Sequence, residues 1–172
     1  MSVGAYRVRS ATRADLARLP ALDASADGIL AESPLPAVAD ATPPGALARA
    51  LAQALLWVAT PPGSDEPAGY CAAGRIEEGL LVGRLAVVRP HQRRGVGATL
   101  LAAAIDRARW SLEPAVLLVA DRDLPWNGPF YARHGFVAVD SARLPPDLAA
   151  VLALDRARHP HPERRIVMAK RL

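Results

Sequence analysis

Two short stretches hold most of the side chains whose type and spacing could do chemistry. The first is Gln92-Arg93-Arg94-Gly95-Val96-Gly97, followed by Ala98 and Thr99. Just ahead of it an apolar run (Leu80, Leu81, Val82, Leu85, Ala86, Val87, Val88) stops at Arg89-Pro90, and beyond it Ala98, Leu101, Ala102, Ile105 and Ala108 recur at helical spacing. That order is strand, turn, helix. Gly95 and Gly97 present no side chain, so a ligand can approach the backbone there. The unpaired N–H groups of the first helical turn, with the positive end of the helix dipole, face the same ligand. The segment reads as a cradle for a pyrophosphate. The second stretch, residues 124–136, carries Asn127, Phe130, Tyr131, His134 and Gly135. It follows another apolar run, residues 115–120, which reads as a buried strand leading to Asp121 and Asp123. Gly135 suits the position just past a helix end, where positive φ is needed.

Three phosphate loops compete for residues 92–97. A Walker loop needs Gly-x-x-x-x-Gly-Lys-Ser/Thr, and no lysine is present. A dinucleotide loop needs a third glycine where Leu100 stands, and an acid about 20 residues on, where Leu117 stands and Asp121 is the nearest acid. The hexapeptide instead resembles the acetyl-CoA loop of the GNAT N-acetyltransferase superfamily, Gln/Arg-x-x-Gly-x-Gly/Ala. Tyr131-Ala132-Arg133-His134-Gly135-Phe136 resembles the Tyr-x-x-x-Gly-Phe of the same family, in which a short helix carries the tyrosine, ends at the glycine and enters the next strand through the phenylalanine. The two motifs stand in the family's order, each behind a strand. The likeness in motif covers roughly residues 66–140, and the remainder matches in its pattern of elements.

The resemblance implies an α/β (α+β) fold: a mixed, mostly antiparallel sheet of about six to seven strands flanked by helices, with a splayed strand pair holding acetyl-CoA. The pair would be the strands at 80–88 and 115–120. The whole chain, 1–172, would be a single domain, with acceptor-side elements at about 5–60, the acetyl-CoA core at about 66–140, and a closing helix and strand at about 141–172. Pantetheine would pair with the strand near Leu85, Ala86 and Val87, and the pyrophosphate would lie on Gln92, Arg93, Arg94, Gly95, Val96, Gly97, Ala98 and Thr99. Phe130 would line the cofactor. Asn127 would either offer its amide to pantetheine or cap the short helix; it stands four residues before Tyr131, a turn later than in many family members. The implied reaction is transfer of an acetyl group from acetyl-CoA to a primary amine of a small molecule or a protein, by direct attack in a ternary complex. Tyr131 would be the general acid, since a phenol near pKa ~10 can donate to a thiolate of similar basicity.

The base departs from the family pattern. Many members carry a glutamate just ahead of the Leu-x-Val of the first motif, where this chain has Gly83 and Arg84. The strand holds no acid. Glu77 and Glu78 sit at a hairpin tip, and His91 and His134 in loop and helix-end positions, which leaves Asp121 or Asp123 as the candidate base. The missing strand acid also keeps open a second class, a catalytically weak or inactive acyl-CoA-binding sensor of the same fold. Asp27, Glu32 and Asp40, in a long connection at 24–45, would suit a cationic acceptor.

The elements that must position these groups can be placed coarsely. Residues 5–10 alternate as a first strand, and Thr12 caps a helix running to about Leu22. Residues 24–45 form the connection, with one short helical turn. A helix at 46–55 leads into a strand at 55–60, and strands at 68–76 and 80–88 form a hairpin. A strand at 136–140 precedes a helix at 145–158, which is placed either to cover the acceptor site or to pack against a second copy of the chain, and 165–170 is a closing strand.

Composition narrows the classes. At 172 residues and 51% hydrophobic, the chain can bury a core. No apolar run reaches the ~20 residues that span a bilayer, and the first residues lack the apolar core of a signal peptide. The lone Cys71 excludes an intramolecular disulfide and fits a reducing cytoplasm, buried in its strand. Of 21 basic residues only Lys170 is lysine, and the net charge is +4. The one tight basic cluster is Arg89, Arg93 and Arg94, which a CoA loop absorbs, so neither nucleic acid nor a membrane is expected as a partner. No His/Cys/Asp spacing fits a metal and no Gly-x-Ser-x-Gly elbow is present.

Overall fold

The computed structural model describes residues 6–35, 37, 39, 42, 43 and 45–172. Its strands run in the order β1-β2-β3-β4-β5-β7-β6 in one seven-stranded sheet. They are β1 (Arg7–Ser10), β2 (Leu56–Thr60), β3 (Gly69–Ile76), β4 (Gly79–Val87), β5 (Ala115–Asp121), β6 (Val137–Ala138) and β7 (Arg165–Arg171). The helices are α1 (Arg13–Leu16), α2 (Leu19–Ala26), α3 (Ala46–Ala52), α4 (Val96–Trp110), α5 (Gly128–Arg133) and α6 (Pro146–Arg156). Contacts divide the chain into two compact units, one of residues 1–32, 39–74 and 82–107, the other of 33–38, 75–81 and 108–172.

In the first unit β1, β2 and β3 pair antiparallel, with Arg7 opposite Thr60 and Leu56 opposite Ala72. Ser10 is followed by a capped helix start: Asp15 Oδ2 accepts from Thr12 N at 2.7 Å and from Thr12 Oγ1 at 2.9 Å. The guanidinium of Arg9 grips both oxygens of the same carboxylate, at 2.8 and 3.0 Å. That bond chiefly, helped by Thr12, outweighs burial and holds the Asp15 pKa down at about 2. The helix expected through Leu22 breaks after Leu16 and restarts at Leu19. Pro20 is the cause: its ring lacks an N–H and would strike the carbonyl of Leu16 in a continuous helix. α2 then runs beyond the expected end, and a 3₁₀ segment, Asp27–Glu32, continues it into the region expected to be loop. The core of this unit gathers Leu19, Leu22, Leu56, Val58, Tyr70 and Ala86. Cys71 is fully buried on β3, and burial pushes its thiol up to about 12. Gly69 is required where it stands, because a Cβ there would lie 2.8 Å from the Ala86 carbonyl oxygen.

In the second unit β5 and β7 pair antiparallel over their full length, from Ala115 opposite Arg171 to Asp121 opposite Arg165. β6 is shorter than the strand expected at 136–140; only Val137 and Ala138 pair, with Ala169 and Met168, while Phe136 turns inward and is 2% exposed. The apolar side of α6 is spent inside this unit: Leu148 and Leu152 pack with Leu117 and Val167. Asp155 holds Arg165 through two hydrogen bonds, at 2.6 and 2.9 Å, and the Arg156 guanidinium donates to the Arg165 carbonyl.

Candidate functional site

β4 delivers the chain to the first motif. Leu85 and Val87 are half-buried on it and Ala86 is buried. The strand ends at Val87, and a 3₁₀ turn containing Pro90, Arg89–His91, follows. Gln92 then ties the turn down: its Nε2 donates to the Val87 carbonyl at 2.9 Å and to the Ala26 carbonyl at 3.2 Å, while its Oε1 accepts from Arg89 at 3.0 Å. Gln92 is therefore a brace of the loop. Two left-handed residues follow, Arg93 at φ 58° and Gly95 at φ 82°. They turn the backbone abruptly into α4, whose first residue, Val96, is 2% exposed and plugs the helix start into the interior. A Cβ on Gly95 would meet nothing within 4 Å, so the space beyond this loop is open. Its positive φ, not crowding, is what calls for glycine.

Arg93, Arg94 and Gly95 are exposed, and neither arginine has a partner among the described residues. Gly97 and Ala98 are half-buried on the first turn of α4, and Thr99 bonds back to the Gly95 carbonyl through both its N and its Oγ1, each at 3.0 Å. Arg89, by contrast, is consumed by Glu32 and Gln92. Of the basic cluster expected here, two of three guanidinium groups remain for a ligand. Downstream, the buried face of α4 is Leu100, Leu101, Ala104, Ile105 and Ala108, whereas Ala102 is exposed. Alanine marked the buried stripe poorly because it is tolerated on either face of a helix.

The second motif is mounted differently. β5 ends on Asp121, 5% exposed, whose carboxylate is bound by the equally buried Arg164 and by the backbone N–H groups of Asp123 (3.0 Å) and Leu124 (3.3 Å). Burial pushes the Asp121 pKa up, but these bonds together hold it below the usual carboxylate range. Asp123 lies outside that knot, half-exposed, 3.5 Å from Arg122 and 3.9 Å from Arg164. Asn127 does not cap α5; its Oδ1 accepts from the Asp121 N–H at 3.2 Å, closing the loop on itself. Gly128 lets that closure form, since a Cβ would come within 2.8 Å of the Arg122 Cα. α5 then carries Phe130 and Tyr131, both half-buried, with Tyr131 edge-on to Phe130 and to Phe136 at 5.1 and 5.8 Å between ring centres.

The helix ends as its glycine predicts. Gly135 sits at φ 85° and its N–H bonds the Ala132 carbonyl, while the Phe136 N–H bonds that of Tyr131. Lys170 donates to the His134 carbonyl at 2.8 Å, a positive charge at the negative end of the helix. Burial, with the nearby Arg133 and Lys170 charges, lowers the pKa of His134. Sequence reasoning missed Lys170 and Arg164, which act from more than thirty residues away on the elements they secure. Of the acids expected to suit a cationic acceptor, Asp27 and Glu32 are paired with Arg84 and Arg89, and Asp40 lies outside the described residues.

A strand, a glycine loop opening a helix, and a tyrosine helix behind the next strand are the elements on which the likeness to the GNAT family rests. The model of the acetyltransferase (GNAT) domain family matches residues 52–138, half of the chain, and the chain belongs to that family. Its members use acetyl-CoA as co-substrate. Solved structures show the same fold. N-acetylglutamate synthase from Neisseria gonorrhoeae, complexed with coenzyme A and N-acetyl-glutamate, superposes with a TM-score of 0.73 at 19% identity over 98% of this chain and 35% of that one. The chain thus spans about a third of the length of that enzyme. PaiA N-acetyltransferase from Thermoplasma acidophilum, in complex with coenzyme A, gives 0.66 at 13% identity over 98% and 100%. The ribosomal-protein-S18-alanine N-acetyltransferase of Escherichia coli gives 0.64 at 16% over 97% and 94%. No helix among the described residues is long and apolar enough to cross a membrane.

Proposed function

We propose that the protein is an N-acetyltransferase that moves the acetyl group of acetyl-CoA to a primary amine of a small molecule or a protein, by direct attack in a ternary complex. The observation that carries this reading is the junction at 92–99: two left-handed residues, open space beyond Gly95, and two exposed arginines without partners among the described residues, just before a fifteen-residue helix. Backbone N–H groups and guanidinium groups arranged in this way hold a pyrophosphate. Pantetheine then lies along Leu85, Ala86 and Val87, with Asn127 and Phe130 as its further neighbours.

The chemistry follows from the charges that must move. An alkyl ammonium of pKa ~10 is only about a thousandth neutral at pH 7, so its proton must leave before the nitrogen can attack. Asp123 is the better base of the pair, because Asp121 is committed to Arg164 while Asp123 is only loosely paired and half-exposed. The amine nitrogen bonds to the thioester carbonyl carbon and a backbone N–H stabilises the oxyanion that forms. The carbon–sulfur bond breaks as Tyr131 protonates the departing thiolate, and the nitrogen's remaining extra proton passes through water to the Tyr131 phenolate so formed. Location in the cytoplasm is part of the same reading.

One observation favours the sensor reading: Arg84 stands on β4 where an acid would serve the reaction. Calorimetry with acetyl-CoA, coupled to thiol release against a panel of amines, separates the two. Binding with release for one amine class supports the enzyme. Binding with no release from any amine supports the sensor, and absence of binding removes both.

A further inference from the structure

Arg84 is the one charged residue of β4, with 11% of its side chain exposed, and it gathers two carboxylates from residues 23 and 27. Its Nε donates to Asp23 at 2.9 Å and its Nη2 to Asp27 Oδ1 at 2.9 Å. Asp23 is saturated: Oδ1 also accepts from the Tyr70 hydroxyl at 2.8 Å, and Oδ2 accepts from Thr42 at 3.0 Å. Asp27 is not. Its second oxygen has no partner among the described residues, and a quarter of its side chain, 26%, is exposed. Burial works against the charge of Arg84, but the two aspartates outweigh it and raise the Arg84 pKa, so the guanidinium stays charged. One cation between two carboxylates leaves the group at minus one.

A second set of contacts fixes where that charge lies. Ser25 Oγ accepts from the Arg89 N–H at 3.2 Å, Gln92 bridges the Ala26 and Val87 carbonyls, and Glu32 pairs with Arg89. The turn from α2 into the 3₁₀ segment is thus pinned to β4 at residue 84 on one side and at residues 87–92 on the other. Asp27 is held next to the stretch of strand along which, on the reading above, pantetheine lies.

We infer that Asp27 is the acceptor-binding carboxylate, held in place by Arg84, and that it selects amines with no carboxylate beside the reacting nitrogen. This rests on the N-acetyltransferase reading. An ammonium takes the free oxygen of Asp27 and neutralises the group. The α-carboxylate of an amino acid would add an uncompensated negative charge to the group that its ammonium has just neutralised, since Arg84 already has its two anions. Arg84 and Asp23 are positioning residues, and Asp27 touches the substrate.

The experiment uses matched acceptors, tyramine against tyrosine and phenethylamine against phenylalanine, with thiol release as the readout and acetyl-CoA affinity measured separately. The wild type is expected to favour each amine over its amino acid by about tenfold in kcat/KM. Asp27→Asn is expected to raise the KM of tyramine about tenfold with kcat changed by no more than about twofold, Asp27→Glu to restore part of it, and neither to alter acetyl-CoA affinity. Tyrosine used as well as tyramine, an unchanged KM in the Asp27→Asn variant, or tight acetyl-CoA binding with none of the four acceptors turned over would each overturn the inference. The wild-type ratio decides the matter even if the variants fold poorly. Absence of acetyl-CoA binding would instead overturn the N-acetyltransferase reading, and this inference with it.

Discussion

The chain makes the same local turn twice, strand into loop into helix, and spends its polar groups in opposite ways. At the junction of β4 and α4 the outermost side chains, Arg93 and Arg94, have no partner among the described residues, and the bracing is done from below by Gln92 and Val96. At the junction of β5 and α5 almost every polar group is used internally: Asp121 by Arg164 and two N–H groups, Asn127 by the Asp121 N–H, the His134 carbonyl by Lys170. A loop that will receive a ligand keeps donors in reserve; a loop that only has to hold a side chain still satisfies its own. On the proposed reading the first binds and the second aims Tyr131.

The contrast predicts different consequences of damage. The largest belongs to the knot. Asp121→Asn removes the carboxylate charge held directly by the Arg164 guanidinium, 7% exposed, leaving Asp123 at 3.9 Å, and is expected to cost about 3–5 kcal/mol in urea unfolding. Next comes the group that is aimed. Tyr131→Phe should lower kcat about a hundredfold with acetyl-CoA affinity unchanged, in a stopped-time thiol assay. Damage to the binding loop should show in affinity instead. Replacing both Arg93 and Arg94 by alanine is expected to weaken acetyl-CoA about tenfold, with the loss shrinking as salt is raised and with stability nearly intact. Lys170→Met removes one favourable charge at the end of α5 and should cost about 0.5–1 kcal/mol, lowering kcat while sparing acetyl-CoA affinity.

Acid should attack both halves for one reason. Asp15 and Asp121 have folded pKa values depressed by Arg9 and Arg164, so each contributes stability that is fully present above the ordinary carboxylate pKa and is lost as pH falls through the folded value. For Asp15 the window runs from 3.8 down to about 2. Unfolding free energy measured across that range should fall steadily in the wild type and less in Asp15→Asn.

What the sequence made legible was local. Periodicity placed β5 and α6 to within one or two residues, because buried strands and amphipathic helices write their burial into neighbouring positions. The two motifs were legible for the same reason, as each is a continuous segment. Asp27, Glu32 and Asp121 were visible as acids, but not as partners of Arg84, Arg89 and Arg164, which lie more than forty residues away and leave no periodic trace. The break before Leu19 was legible in principle, since Pro20 stood within the expected helix. The helical stretch from Leu22 to Glu32 was not, because contacts from β4 and the turn after it stabilise residues whose own composition favours a loop.

The central claim is that the junction at 92–99 receives the pyrophosphate of acetyl-CoA. Backbone amide chemical shifts recorded while acetyl-CoA is titrated into the labelled protein test it most directly. The largest changes should fall on the amides of Gly95, Val96, Gly97 and Ala98, and should shrink when Arg93 and Arg94 are replaced together. Saturable shifts confined elsewhere, with these four amides unmoved, would contradict it.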